Sequence, residues 1–432
     1  MLTGASPGTE SLVVRLLTPL WVWTASLLPA WFPPNGVTLL GVVVVVVGGY
    51  LPLAVTLPLL AVDPTTLDPT AGTPDSWFRG GWVYVVTGAA VLSYQLLDAV
   101  DGIHARKTGR ASALGELLDH SADSVAMIAV GLSFAACIQL GGGLLALAVN
   151  YAIYAKFFVA QWELKVTRRA AFGHVNSAGG LLLASGFFFW TALVGPSWWL
   201  APLWGPTASV RALGLTLPAF VLRRQHAVAF VALAWCGISL ALAFIRALTA
   251  LSHEPEPRTR RKRIRAAAFH LIPALAAIAF SLTWAAYSPS GLLQHHPHVL
   301  IGLVGLLMSK LMSSMIVARL ADQVFPSYHS MMLPLPFACF NSFAAYATGR
   351  PPLVPELGML WTVNVVTALV YISFVAGVVE ELQEHLGISF FDLNPVNPPA
   401  QAQAQDTPSH ICTECHICNS TAMSTAAAAP TE

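Results

Sequence analysis

Ten stretches of about 20 mostly apolar residues recur along the chain, near 36–60, 82–100, 121–140, 143–163, 179–200, 227–250, 267–286, 299–320, 330–348 and 358–379. Each is long enough to cross a bilayer as a helix, and helix is the form in which a lone segment satisfies its own backbone in lipid. Residues 11–32 read instead as a helix lying in the interface. Only 10% of the 432 residues are charged and 56% are hydrophobic, against about 25% charged in a soluble domain. Disordered, collagen-like and disulfide-scaffold classes are excluded by the same figures. The expected fold is therefore all-α, a polytopic integral membrane protein with about ten transmembrane helices.

Net charge is +1, so no basic field points to nucleic acid. The placement of charge says more. Ten spans put both termini on one side, and that side receives 14 of the Lys and Arg residues against 5 on the other, with Lys156, Arg246 and Lys310 inside spans. The positive-inside rule then makes both termini cytoplasmic. Segment 201–226 is the ambiguous one, since Arg223 and Arg224 fall on the opposite side. Met1 to Ser11 has no basic stretch of a cleaved secretory signal. Cys137, Cys236 and Cys339 lie within apolar spans and read as small buried hydrophobes.

Four of the ten Asp residues fall between 98 and 123. Asp98 and Asp101 are three residues apart, and Asp119 and Asp123 four apart, so each pair shares a helix face. The first pair is expected to close one span and the second to open the next. Four carboxylates aimed into one space repel unless cations separate them. Oxygen-only ligands suit Mg²⁺ or Mn²⁺, and four can hold two ions. Helix capping, or pairing with Arg106, Lys107 and Arg110, explains one Asp at a span end more readily than four in this register. Gly102, Ala105 and Gly115 lack bulk, which lets a diphosphate or a facing helix approach.

The spacing Asp-x2-Asp-Gly-x2-Ala-Arg-x8-Gly-x3-Asp-x3-Asp, met by Asp98, Asp101, Gly102, Ala105, Arg106, Gly115, Asp119 and Asp123, resembles the signature of the CDP-alcohol phosphotransferases. Pro34-Asn35-Gly36-Val37-Thr38-Leu39-Leu40-Gly41, the Gly115-Glu116-Leu117-Leu118-Asp119-His120 run and the ten-span length are similar to the eukaryotic choline/ethanolamine phosphotransferases in particular. Weaker similarity continues through Trp162-Glu163 and Glu380-Glu381-Leu382, so it covers roughly 15–390, motif-specific over 35–125. The resemblance implies transfer of phosphocholine or phosphoethanolamine from CDP-choline or CDP-ethanolamine to diacylglycerol, with CMP released. It also implies a site facing the cytosol in the endoplasmic reticulum or Golgi; a homodimer is an assembly left open. Asn35 matches the family position that contacts the nucleotide.

Arg106, a planar multi-donor cation, suits a phosphate. His120, beside Asp119, has the chemistry of a general base for the lipid hydroxyl, and Glu116, four residues earlier, is placed to orient it. His104 stands where the family typically carries Gln, so the donor pocket is expected to differ there. Gly173 to Gly180 lacks the Glu that the family usually places before its last Gly. Two rivals keep the carboxylates: a CDP-diacylglycerol-consuming synthase, and a divalent-cation transporter, whose site would lie nearer mid-membrane.

By domain, the expectation is an interfacial N-terminal segment at 1–34, a transmembrane catalytic unit at 35–390 and a disordered cytoplasmic tail at 391–432. Loop 63–80 reads as an insertion. Cys412, Cys415 and Cys418, with His410 and His416, have zinc-like spacing but only one such cluster between disordered-looking flanks, so palmitoylation or no function together outweigh metal binding. The basic run Arg258 to Arg265 reads first as a topology signal, and His295, His296 and His298 as non-catalytic.

Overall fold

A computed structural model describes residues 12–56, 81–168, 177–204, 210–212, 215–217 and 221–391. Loop 63–80, the Cys412–Cys418 cluster, the tail from 392 and Gly173 to Asn176 lie outside the described residues. The helices are α1 (Leu12–Leu27), α2 (Pro34–Val43), α3 (Leu51–Thr56), α4 (Trp82–Lys107), α5 (Ala113–Cys137), α6 (Leu144–Thr167) and α7 (Ser177–Val194). They continue with α8 (Arg224–Ser252), α9 (Pro257–Phe269), α10 (Ile272–Tyr287), α11 (Leu292–His295), α12 (Pro297–Leu320), α13 (Pro334–Thr348) and α14 (Glu356–Leu386). Among the described residues, eight helical stretches are long and apolar enough to cross a membrane. Two more of the expected spans correspond to the shorter α7 and α13, so each expected span overlaps a helix. The chain is an integral membrane protein.

Helix ends depart from the apolar windows where they matter most. The second and third spans were expected at 82–100 and 121–140, but α4 runs on to Lys107 and α5 starts at Ala113. A charged side chain does not end a helix whose backbone is bonded internally; the breaks come from Gly109, with φ of +68°, and from Ser112, whose hydroxyl accepts from Gly115 N at 3.1 Å. The Asp pairs thus sit inside helices rather than at their ends. At 1.5 Å per residue Asp98 lies about 14 Å from the end of α4. Likewise α7 stops at Val194, because Gly195 (φ +82°) and Pro196 turn the chain into a short 3₁₀ turn.

Among the described residues of the ambiguous segment before Arg224, Pro202–Trp204 pairs antiparallel with Leu222–Arg223, and Val210–Ala212 with Leu215–Leu217. Arg224 then opens α8 with its guanidinium 4.1 Å over the Trp198 ring, a contact that compensates the charge at the span's end. Between α2 and α3 the helix widens to a π turn at Val44–Tyr50, and the Gly49 carbonyl accepts from Thr87 Oγ1 at 3.0 Å. Cys137, Cys236 and Cys339 are buried and unpaired, as expected.

Around α12 the bundle closes. This helix packs on α5, α6, α10 and α14, and Leu303, Leu307 and Leu311 are fully buried. Without a hydrophobic force between helices in lipid, close packing and polar contacts hold them. Glu163 on α6 clasps Arg246 on α8 through two bonds of 2.5 and 2.8 Å. Gly305 faces Ile128 of α5, whose Cγ1 would lie 2.6 Å from any added Cβ. Gly305→Leu is therefore expected to cost about 1–3 kcal/mol, read as an earlier thermal transition in detergent. A variant as stable as its parent would rule out this close approach.

Candidate active site

A short turn joins α4 to α5, so the two helices return side by side and bring their acidic faces together. Carboxylate oxygens of Asp98, Asp119 and Asp123 all lie within 4.8 Å of one another, and the three residues are half-buried. Tyr94, one turn before Asp98, donates its hydroxyl to Asp123. Asp101 is 4% exposed and accepts from Thr38 of α2. Of the four expected ligands, three thus converge, and Asp101 stands outside that trio with a hydroxyl partner of its own. Three hard oxygen donors at this separation fit a divalent cation of the Mg²⁺ or Mn²⁺ kind.

His120 borders the trio. Its Nδ1 is 3.9 Å from Asp123 Oδ2, and its side chain keeps 32% of its surface exposed. The expected orienting partner, Glu116, is engaged elsewhere: it accepts from Arg319 at the end of α12. The helix register put Glu116 one turn from His120, but α12 brings a full positive charge to the same face, and an ion pair outcompetes an imidazole contact. Asp123 is the carboxylate that faces the ring. Beneath His120, Ser121 Oγ meets Ser313 Oγ at 2.9 Å, and Ser313 bonds the Tyr371 hydroxyl at 3.1 Å. These contacts fix α5 against α12 and α14.

Arg106 is exposed at the mouth of the site. Its guanidinium folds back over Gly102, where an added Cβ would lie 3.3 Å from Nη1, so Gly102 makes room for the arginine. Ala105 is half-buried beside it. Asn35, at the start of α2, donates through Nδ2 to Phe390 O at 2.8 Å, and its Oδ1 would be 3.7 Å from a Cβ on Gly115. That is ordinary contact, so sterics alone do not demand glycine at 115. His104 turns out to be a brace: 1% exposed, its Nε2 is 2.9 Å from Phe32 O. Arg110 donates to Ala30 O at 2.8 Å, so the end of α4 is tied to the turn that carries Asn35.

The sequence profile of the family described as CDP-alcohol phosphatidyltransferase matches residues 31–208. Over 387 residues the chain is 29% identical to choline/ethanolaminephosphotransferase 1 of Arabidopsis thaliana, covering 87% of this chain and 91% of that one. The chain is similar to the CDP-alcohol phosphatidyltransferases over nearly its whole length. It is 23% identical over 393 residues to ethanolaminephosphotransferase 1 of Mus musculus (90% and 91% covered) and 24% identical over 393 residues to cholinephosphotransferase 1 of Danio rerio (87% and 88%). It is an enzyme of the choline/ethanolaminephosphotransferase type, a transferase of phospholipid synthesis. The similarity implies a CDP-alcohol donor and a lipid acceptor, and the matched family is typically metal-dependent, for which the aspartate trio is a fitting ligand set.

The family match spans α2 to the turn after α7, and every motif residue named above lies within it. Arg319, Ser313 and Tyr371 come from helices beyond it. Sequence reasoning missed them, and missed Thr38 and Tyr94 as carboxylate partners. Tyr94 alone left a signal, since it lies four residues before Asp98 on the same helical face.

Proposed function

We propose that the enzyme transfers phosphocholine or phosphoethanolamine from CDP-choline or CDP-ethanolamine to diacylglycerol, forming phosphatidylcholine or phosphatidylethanolamine and CMP. The observation that carries this reading is the convergence of Asp98, Asp119 and Asp123 beside His120, within the family's motif. Asp98, Asp119 and Asp123 would hold a Mg²⁺ or Mn²⁺ ion, with Asp101, one turn along α4, extending the set toward a second. When bound, the metal supplies charge neutralisation at the diphosphate and at the departing CMP.

The protein's own groups do the rest. Arg106 binds a phosphate oxygen of the donor, and Gly102 leaves its guanidinium the space to swing there. Asn35 and Gly115 border the nucleotide. His120 takes the proton of the acceptor hydroxyl as that oxygen bonds to the phosphorus bearing the amino-alcohol. The bond from this phosphorus to the bridging oxygen breaks, and CMP leaves with the electron pair. Asp123 stabilises the protonated ring, which returns its proton to water. Glu116 and Arg319 lock the start of α5 to α12. Residues 35–390 form the catalytic unit, and the excess of Lys and Arg on the site's side supports a cytosolic orientation in the endoplasmic reticulum or Golgi.

The test is purified protein in detergent with diacylglycerol, Mg²⁺ or Mn²⁺, and radiolabelled CDP-choline or CDP-ethanolamine. Labelled phospholipid and equimolar CMP are expected with one donor or both. Silence with both donors overturns the reading.

A further inference from the structure

Of the three basic side chains inside spans, Arg246 and Lys310 meet different fates. Arg246 is neutralised by Glu163, whereas Lys310 on α12 has an imidazole and an aromatic ring: its Nζ is 3.2 Å from His329 Nδ1 and 4.5 Å from the centroid of Phe374 on α14. Neither contact supplies a negative charge. Ionisable groups at such depth are costly and mark function by default. Lys310 lies about 15 Å along α12 from its end at Leu320, and one helical turn from Ser313, which touches Ser121 beside His120. It therefore stands at the depth of the aspartate trio.

His329 arrives by an unusual route. After α12 the chain turns at Asp322 (φ +49°) and returns without regular helix, Phe325 packing between Phe158, His270 and His329, until α13 begins at Pro334. Val324 and Tyr328 are 86% and 66% exposed along it. Non-helical backbone at membrane depth is tolerated where it lines a cavity or is covered by protein. The His329 side chain beside Lys310 is only 4% exposed. An ammonium inside a span with no carboxylate among these contacts has room for an acceptor oxygen.

We propose that Lys310 and His329 bind an ester carbonyl of the diacyl acceptor lipid and so set its free hydroxyl toward His120. The inference rests on the diacylglycerol reading above. Ester carbonyls are separated from the glycerol hydroxyl by a few bonds, which suits a polar group one turn from Ser313, the residue that contacts α5 next to His120. An apolar groove of about 420 Å³, lined by Pro334, Phe337, Met359, Val363 and Val366 among others, opens directly after the Ser330–Met332 turn and gives an acyl chain a path away from that carbonyl.

The full-length enzyme in mixed micelles, with its CDP-alcohol saturating, is to be assayed against increasing 1,2-diacylglycerol and against the matched 1,2-dialkylglycerol, which has no carbonyls. The wild type is expected to show an apparent KM about 10- to 100-fold higher for the dialkyl lipid. Lys310→Met is expected to raise the diacyl KM by a similar factor, leave the dialkyl and CDP-alcohol KM values unchanged, and so erase the discrimination. Lys310→Arg restores most of it, and His329→Phe weakens it. Equal use of the two lipids by the wild type overturns the inference, whatever the folding of the variants, and so does a Lys310→Met enzyme that keeps the wild-type ratio. Both results leave the transferase reading intact. A wild type silent with either lipid and both donors overturns that reading itself.

Discussion

Asp119→Ala is expected to abolish transfer, with a loss of about 10³-fold or more. Its carboxylate is one of three whose oxygens lie within 4.8 Å of one another, and it comes from the helix opposite Asp98. Removing it leaves a divalent cation two hard ligands and leaves part of the donor's diphosphate charge unopposed. Loss of several kcal/mol of transition-state charge stabilisation corresponds to about that factor. Asp119→Asn keeps the volume but not the charge, so it should shift the Mg²⁺ or Mn²⁺ requirement upward before it lowers the maximal rate. CMP release across a metal titration checks both variants. Turnover of Asp119→Ala within tenfold of the parent at saturating metal would remove the trio from the chemistry.

Loss of the imidazole should separate chemistry from binding. His120→Ala is expected to reduce turnover by about 10²–10⁴-fold, the span over which general acid–base groups act. Binding of the CDP-alcohol should stay within about twofold, because donor contacts are assigned to Arg106, Asn35 and the carboxylates. Protein yield should hold as well, since the ring is a third exposed and its neighbour Asp123 keeps the Tyr94 hydroxyl. Equilibrium binding of a labelled donor and single-turnover product formation measure the two quantities. Near-normal turnover would give the base role to another group.

Much of this site could be read along the chain because its parts are close in sequence. Asp98, Asp101, Asp119 and Asp123 fall within 26 positions, and helical spacing alone brings each pair onto one face. Span positions were legible too, for a bilayer leaves helix as the form that satisfies a lone segment's backbone. Helix ends were harder, because an apolar window closes at the first charge, whereas α4 continues until Gly109 and Thr108 break its ladder. Glu116 shows the same limit. Its helix offered His120, but Arg319, 203 residues away, took the carboxylate.

The sequence by itself determined a membrane-embedded helical enzyme, its four acidic residues in register and the family whose motif they match. These follow from composition, from helical periodicity and from contacts a few residues apart. Tertiary structure alone decided which three carboxylates converge, that Thr38 and Tyr94 hold Asp101 and Asp123, and that His104 bonds the Phe32 carbonyl. It also decided that His329 returns beside Lys310. Each of these depends on which helix faces lie against one another, and packing across dozens to hundreds of residues sets that pairing where no local spacing can.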